Sequence, residues 1–169
     1  MLGGWLLQKH MVRGELFGPA HVYAAPLPNR SFTPGSVRPV SFAELCAAKH
    51  EEVIRKVTPT LRHTVFQEYG MGNAPADDYE IDYLITPGLG GSDEITNLWP
   101  EPRYNTEWNS YVKDQLEEHL HQMVCSGEVS LSTAQQDIAN NWIDAYKKYF
   151  HTDRPLSNPG TLERPIQIR

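Results

Sequence analysis

Residues 79–85 read Tyr-Glu-Ile-Asp-Tyr-Leu-Ile, and this alternation constrains the fold more than any other stretch of the chain. Side chains of an extended segment project to opposite sides with a period of two. Tyr79, Ile81, Tyr83 and Ile85 therefore share one face, and Glu80, Asp82 and Leu84 the other, which predicts a short strand. The run stops at Thr86, where Pro87, Gly88, Gly90 and Gly91 crowd together and demand a loop. Residues 95–99 form a short apolar patch closed by Pro100 and Pro102.

Downstream the period changes from two to that of a helix. Trp108, Val112, Leu116, Leu120, Met123 and Val124 make one apolar stripe, with Thr106 as the predicted cap, an end near Cys125 and Gly127 as the stop. A second helix is predicted from Ser132, with Gln135 three residues on, and carries Ile138, Trp142, Ala145, Tyr146 and Tyr149 inward before Pro155. Upstream, Ser41 and Glu44 make a capping box that opens a short helix bearing Cys46. Thr58-Pro59 opens another, with Leu61, Val65, Phe66 and Tyr69 on one side and Gly70 after it. A small strand region wrapped by three or four helices places the chain in the α+β class. Residues 1–38 and 151–169 are Pro-containing and without periodicity, so they read as an irregular arm and an irregular tail around a domain at 39–150.

With 169 residues, 40% of them hydrophobic and 21% charged, the chain is long enough and apolar enough for one buried core. Its net charge of −6 argues against a broad nucleic-acid-binding face, since Lys and Arg supply non-specific affinity for phosphates. Lys147, Lys148 and Arg154 form only a small basic spot. No apolar run approaches the roughly 18 residues that a membrane span needs. The sequence Val22-Tyr23-Ala24-Ala25-Pro26 looks like the small-residue end of a secretory signal, but Gln8, Lys9, His10, Arg13 and Glu15 interrupt the stretch before it. A degraded leader on an exported or periplasmic protein and an ordinary arm on a cytoplasmic one both stay open. So do two readings of Cys46 and Cys125, a disulfide worth on the order of 4 kcal/mol through chain entropy, or two buried thiols.

Several motifs converge on one family. Glu80-Ile81-Asp82-Tyr83-Leu84-Ile85, then Leu89-Gly90-Gly91-Ser92, then Asn97-Leu98-Trp99-Pro100 resembles a bacterial HNH-type pattern of the form E-I-D-H-L-I, L-G-G-S, N-L-W-P. The likeness continues through Trp108-Asn109, Lys113-Asp114, Leu116-Glu117, residues 124–127, Ala134-Gln135 and Trp142-Ile143, and upstream through residues 38–40 and Cys46. The chain thus resembles the HNH (His-Me finger, ββα-metal) endonucleases. The resemblance implies a ββα-metal-finger-like core with additional packing helices. It also favours a bond between Cys46 and Cys125, which both fall inside the matching region.

The family's reaction, hydrolysis of a phosphodiester, needs a base to activate water and a divalent cation such as Mg²⁺ to stabilise charge. The resemblance puts the metal on Asp82, the base at position 83 assisted by Asn97, and a further site histidine at position 111. Positions 83 and 111 hold tyrosine in this chain, with Lys113 and Asp114 close by. At pH 7 roughly 0.1% of a tyrosine is ionised, and a missing general base costs about 100- to 10,000-fold in rate. A neutral phenol is also a poor ligand for a hard cation. His50, His63, His119 and His121 offer no obvious substitute. The expectation is a degenerate nuclease homologue that acts as a binding or structural module with an unidentified partner. The rival is a metal-dependent nuclease with an altered site on Asp82 and Asn97. Each residue also has a plainer reading: Asp82 as partner of Lys113 or Arg103, Asn97 as a loop tie, Gly90 and Gly91 as turn formers, and Glu80 with Asp77 and Asp78 as a solvated edge.

Overall fold

The computed structural model describes residues 26–47, 57–104 and 106–159. The candidate leader at residues 1–25 and the last ten residues lie outside them. The elements are α1 (Phe42–Ala47), α2 (Pro59–Glu68), β1 (Tyr79–Tyr83), β2 (Leu98–Pro102), α3 (Ser110–Ser126) and α4 (Leu131–Phe150). The α+β class expected from the sequence is what forms.

β1 and β2 pair antiparallel, with Glu80 opposite Glu101, Asp82 opposite Trp99 and Tyr83 opposite Leu98. Residues directly opposite share a face, so this register divides the hairpin in two. Tyr79, Ile81, Tyr83 and Leu98 form an apolar face packed with Val65 and Phe66 of α2. Glu80, Asp82, Trp99 and Glu101 form the other face, on which α3 lies. The main core sits between α3 and α4, built from Val112, Leu116, Leu120, Ile138, Trp142 and Tyr146. Trp108 closes it edge-on, with ring centroids 6.0 Å from Trp142 and 5.5 Å from Tyr146.

The helix ends follow local chemistry. Ser41 Oγ accepts from Glu44 N and Thr58 Oγ1 from Leu61 N, as the capping patterns predict. α3 starts later than predicted, because Asn109 rather than Thr106 caps it and accepts from Val112 N. α4 is capped by Ser130, not Ser132, through Thr133 N. α4 also breaks at Asn141, whose backbone is extended. The Asn141 side chain accepts from Ile143 N and Asp144 N and so restarts the helix as an internal cap.

Residues 83–92 are all buried, although most of them belong to the connection between the strands. Gly91 is obligatory there, since a Cβ at that position would stand 1.7 Å from Ile85 O. Gly90 has the positive φ expected of a turn former, at 76°. The described part of the N-terminal arm covers this loop. Arg38 N donates to Gly90 O, Ser92 N to Ser36 O and Gly35 N to Thr96 O. Its start is tied down by Trp142 Nε1, which donates to Pro26 O at 2.8 Å. The tail is irregular yet also fastened, with Asn158 Nδ2 donating to Glu107 O and Gln115 Nε2 to Ser157 O.

The disulfide implied by the resemblance is present: Cys46 at the end of α1 bonds Cys125 near the end of α3. Closure across a sequence separation of 79 residues contributes on the order of 4 kcal/mol by restricting the unfolded chain.

Candidate functional site

The polar face of the hairpin and the facing side of α3 enclose a cluster of charge around Lys113. The Lys113 side chain is 1% exposed, a rare position for a lysine unless it is paired. Its ammonium donates to Asp82 Oδ2 at 2.6 Å, to Tyr83 O at 2.7 Å and to Glu117 Oε1 one turn along α3. The three donors of an ammonium are thereby matched by three oxygens. Five carboxyl groups surround this cation: Glu80, Asp82 and Glu101 from the hairpin, and Asp114 and Glu117 from α3. Arg103 offsets them at the edge, 3.4 Å from Glu80.

Glu101 is the most constrained member. It is fully buried, and neither carboxyl oxygen has a hydrogen-bond partner among the described residues. An ionised carboxylate in such a place is costly. Burial first, and then the charge of Asp82, push the Glu101 carboxyl well above the usual carboxylate range. Burial also pushes Glu117 up to about 8, with Asp82 and Asp114 adding to the effect and Lys113 opposing it. Asp114 is exposed at the outer rim, and the crowding of its carboxyl, then the charges of Asp82 and Glu80, push it up to about 7 against the screening of nearby solvent. Glu80 shifts upward for the same reasons, desolvation and then Asp82, opposed by Arg103 and Lys113. Burial works against the charge on Lys113 itself, but Asp82, Glu117 and Glu101 outweigh it and hold the ammonium well above its ordinary value.

The residues expected at the site divide between several places. Asp82 and Lys113 are in direct contact, with Asp114 close enough to feel the Asp82 charge. Tyr83 leaves β1 on the opposite face, where it packs with Val65, Phe66 and Leu98 and donates its hydroxyl to Asp93 Oδ1 at 3.1 Å. Asn97 is fully buried at the base of the loop. Its Oδ1 accepts from Ile85 N and Ser36 N, and its Nδ2 donates to Ile85 O and Ser92 O, so the amide is occupied within the loop and the arm. Tyr111 stands at the rim beside Tyr104, with ring centroids 6.2 Å apart.

Two members of the cluster escaped the sequence reading. Glu101 carries no motif of its own, and only the strand register brings it opposite Glu80. Glu117 did leave a signal, an i, i+4 spacing from Lys113. Glu80, expected on a solvated edge, instead lies half-buried in the cluster because α3 covers that face.

Chemically, the arrangement is an ammonium held by carboxylates, with surplus acid groups whose charge is suppressed. Among the described residues no three His, Cys, Asp or Glu side chains are arranged to hold a metal ion. Compared with known proteins, the chain matches no family model, no curated protein and no solved structure.

Proposed function

We propose that the chain is a degenerate relative of the HNH-type nucleases, in which the finger serves as a structural or binding module and phosphodiester hydrolysis is lost. The observation that carries this reading is the occupation of Asp82 by the buried Lys113 ammonium. A cation is already bound where the family resemblance would put the metal, and replacing it means leaving a buried lysine unpaired. Two further observations agree. The Tyr83 hydroxyl is engaged with Asp93 on the far face of the hairpin, and the Asn97 amide is spent on loop and arm backbone. The arrangement of β1, β2 and α3 follows the order of a ββα finger, and the motif likeness gives that order its meaning.

The disulfide fits an exported protein. Among the described residues no helix is long and apolar enough to cross a membrane. The partner is more readily a protein than a nucleic acid, because the net charge of −6 repels phosphate.

The test is plasmid cleavage with Mg²⁺ or Mn²⁺, alongside an EDTA control and Asp82→Ala. The wild type is expected to leave the plasmid intact, and the Tyr83→His, Tyr111→His double variant to gain little, because Tyr83 is on the wrong face. Robust wild-type cleavage abolished by both EDTA and Asp82→Ala would replace this reading with an altered metal-dependent nuclease.

A further inference from the structure

The Cys46–Cys125 bond joins two unequal partners. Cys125 belongs to α3, which is buried along one side. Cys46 belongs to the six-residue α1, in which Leu45 is the buried residue. Among the described residues, α1 is held, apart from the disulfide, by its Ser41 cap, a surface ion pair between Arg38 and Glu44, and the contacts of Leu45. Both cysteines are partly exposed, so a thiol in solution can reach them.

The two sulfurs also differ chemically. His121 lies one turn before Cys125 on α3 and is 8% exposed. Its Nε2–H donates to Leu45 O at 3.1 Å and lies 3.8 Å from Cys125 Sγ. No such donor stands beside Cys46 Sγ among the described residues. Thiol–disulfide exchange proceeds fastest when attack lands on the sulfur whose partner departs as the more stable thiolate. Near the carbonyl end of α3 a thiolate is otherwise disfavoured, which leaves the imidazole N–H as the group that sets the asymmetry.

We propose that Cys46–Cys125 is a redox-sensitive clasp, opened by a dithiol that attacks Cys46 Sγ and expels Cys125 as a thiolate, which takes over the His121 N–H from Leu45 O. The inference is independent of whether the finger has lost its nuclease chemistry. The first thiolate of the dithiol forms a mixed disulfide with Cys46. The Sγ–Sγ bond breaks, and its electron pair stays on Cys125. The second thiol loses its proton to solvent and attacks the sulfur of the first, releasing the Cys46 thiolate and a cyclic disulfide. The dithiol is oxidised by two electrons and the protein disulfide is reduced by two. Opening frees α1 from α3, while the β1–β2 hairpin and α4 keep their own contacts.

A brief exposure to glutathione, quenched in acid and mapped by mass spectrometry, identifies the attacked sulfur in the wild-type protein. The adduct is expected on Cys46 with Cys125 free, and an adduct chiefly on Cys125 would overturn the mechanism. Opening by dithiothreitol, followed by alkylation, is expected to slow by about fivefold in His121→Ala. His121→Gln, which keeps an N–H donor, should recover most of that rate. Equal rates in wild type and His121→Ala would refute the role of the imidazole. If His121→Ala fails to fold, the adduct position in the wild type decides that role. Reduction should also raise amide exchange in α1 while β1 and β2 stay protected. Loss of protection throughout would mean a purely structural crosslink and no clasp.

Discussion

The two faces of one short hairpin solve the problem of burial in opposite ways. Toward α2, Tyr79, Ile81, Tyr83 and Leu98 bury apolar surface, and each contact is non-directional. Toward α3, one buried ammonium, Lys113, holds Asp82 and Glu117, while Glu101 is buried with its charge suppressed and no hydrogen-bond partner among the described residues. The apolar face tolerates a lost atom at the cost of a cavity. The polar face has no such latitude, since removing one partner strands the others in a medium that cannot solvate them.

That contrast is broken or sharpened most strongly at Lys113. Lys113→Met should cost about 4 kcal/mol in urea denaturation, because it leaves Asp82 and Glu117 buried without their cation. Adding Asp82→Asn and Glu117→Gln should restore more than half of the loss. Leu98→Ala, on the apolar face, should cost about 3 kcal/mol, with no polar substitution able to rescue it. If Lys113→Met proved milder than Leu98→Ala, the polar face would be a passive solvent-backed surface.

The next effect is a pH dependence that only the polar face can produce. Glu117 at about 8 and Asp114 at about 7 lie above their ordinary values of 4.5 and 3.8, so the folded state binds protons more tightly than the unfolded chain. Their contribution to stability is full below about pH 4 and is lost as the pH rises through about 7 to 8. Urea midpoints should therefore fall from pH 5 to pH 8. Glu117→Gln should flatten that fall, while Leu98→Ala should shift the whole curve without changing its slope. A midpoint that rises over this interval would mean the cluster is ionised throughout.

Tyr83→Phe gives the smallest effect. The ring remains among Val65, Phe66 and Leu98 while the bond to Asp93 is lost, so thermal unfolding should report about 1 kcal/mol. A much larger loss would show that the apolar face too hinges on a polar contact.

What the sequence disclosed about these faces follows from the range of each signal. The alternation over residues 79–85 is local, and so are the Ser41 and Thr58 caps; the caps form as read, whereas the strand stops at Tyr83 and Leu84 and Ile85 both join the main core. Asp82 and Lys113 were legible as a pair of opposite charges, although nothing in the chain said that the pair would be buried. Glu101 was not legible. Its place opposite Glu80 depends on strand register, and register across a long connection is set by how the loop packs. The break in α4 was missed because helical period continues on both sides of Asn141, which only its own side-chain bonds reveal as a cap. The α3 start moved because Thr106 and Asn109 can both cap, and Asn109 is the one whose side chain reaches Val112 N.

The strand connection at residues 84–92, buried throughout and closed by Asn97 and the arm, has a consequence for any attempt to alter this protein. Connections between strands are ordinarily where chains accept added residues, protease cuts and fused tags. This one offers no surface to a protease and, at Gly91, no room for even a methyl group. Its length is therefore as fixed as the spacing of a core helix. Exposure returns just past it, at Asp93, Glu94 and Thr96, yet even there Asp93 holds the Tyr83 hydroxyl and Thr96 O accepts from Gly35 N, so an insertion would loosen the hairpin and the arm together.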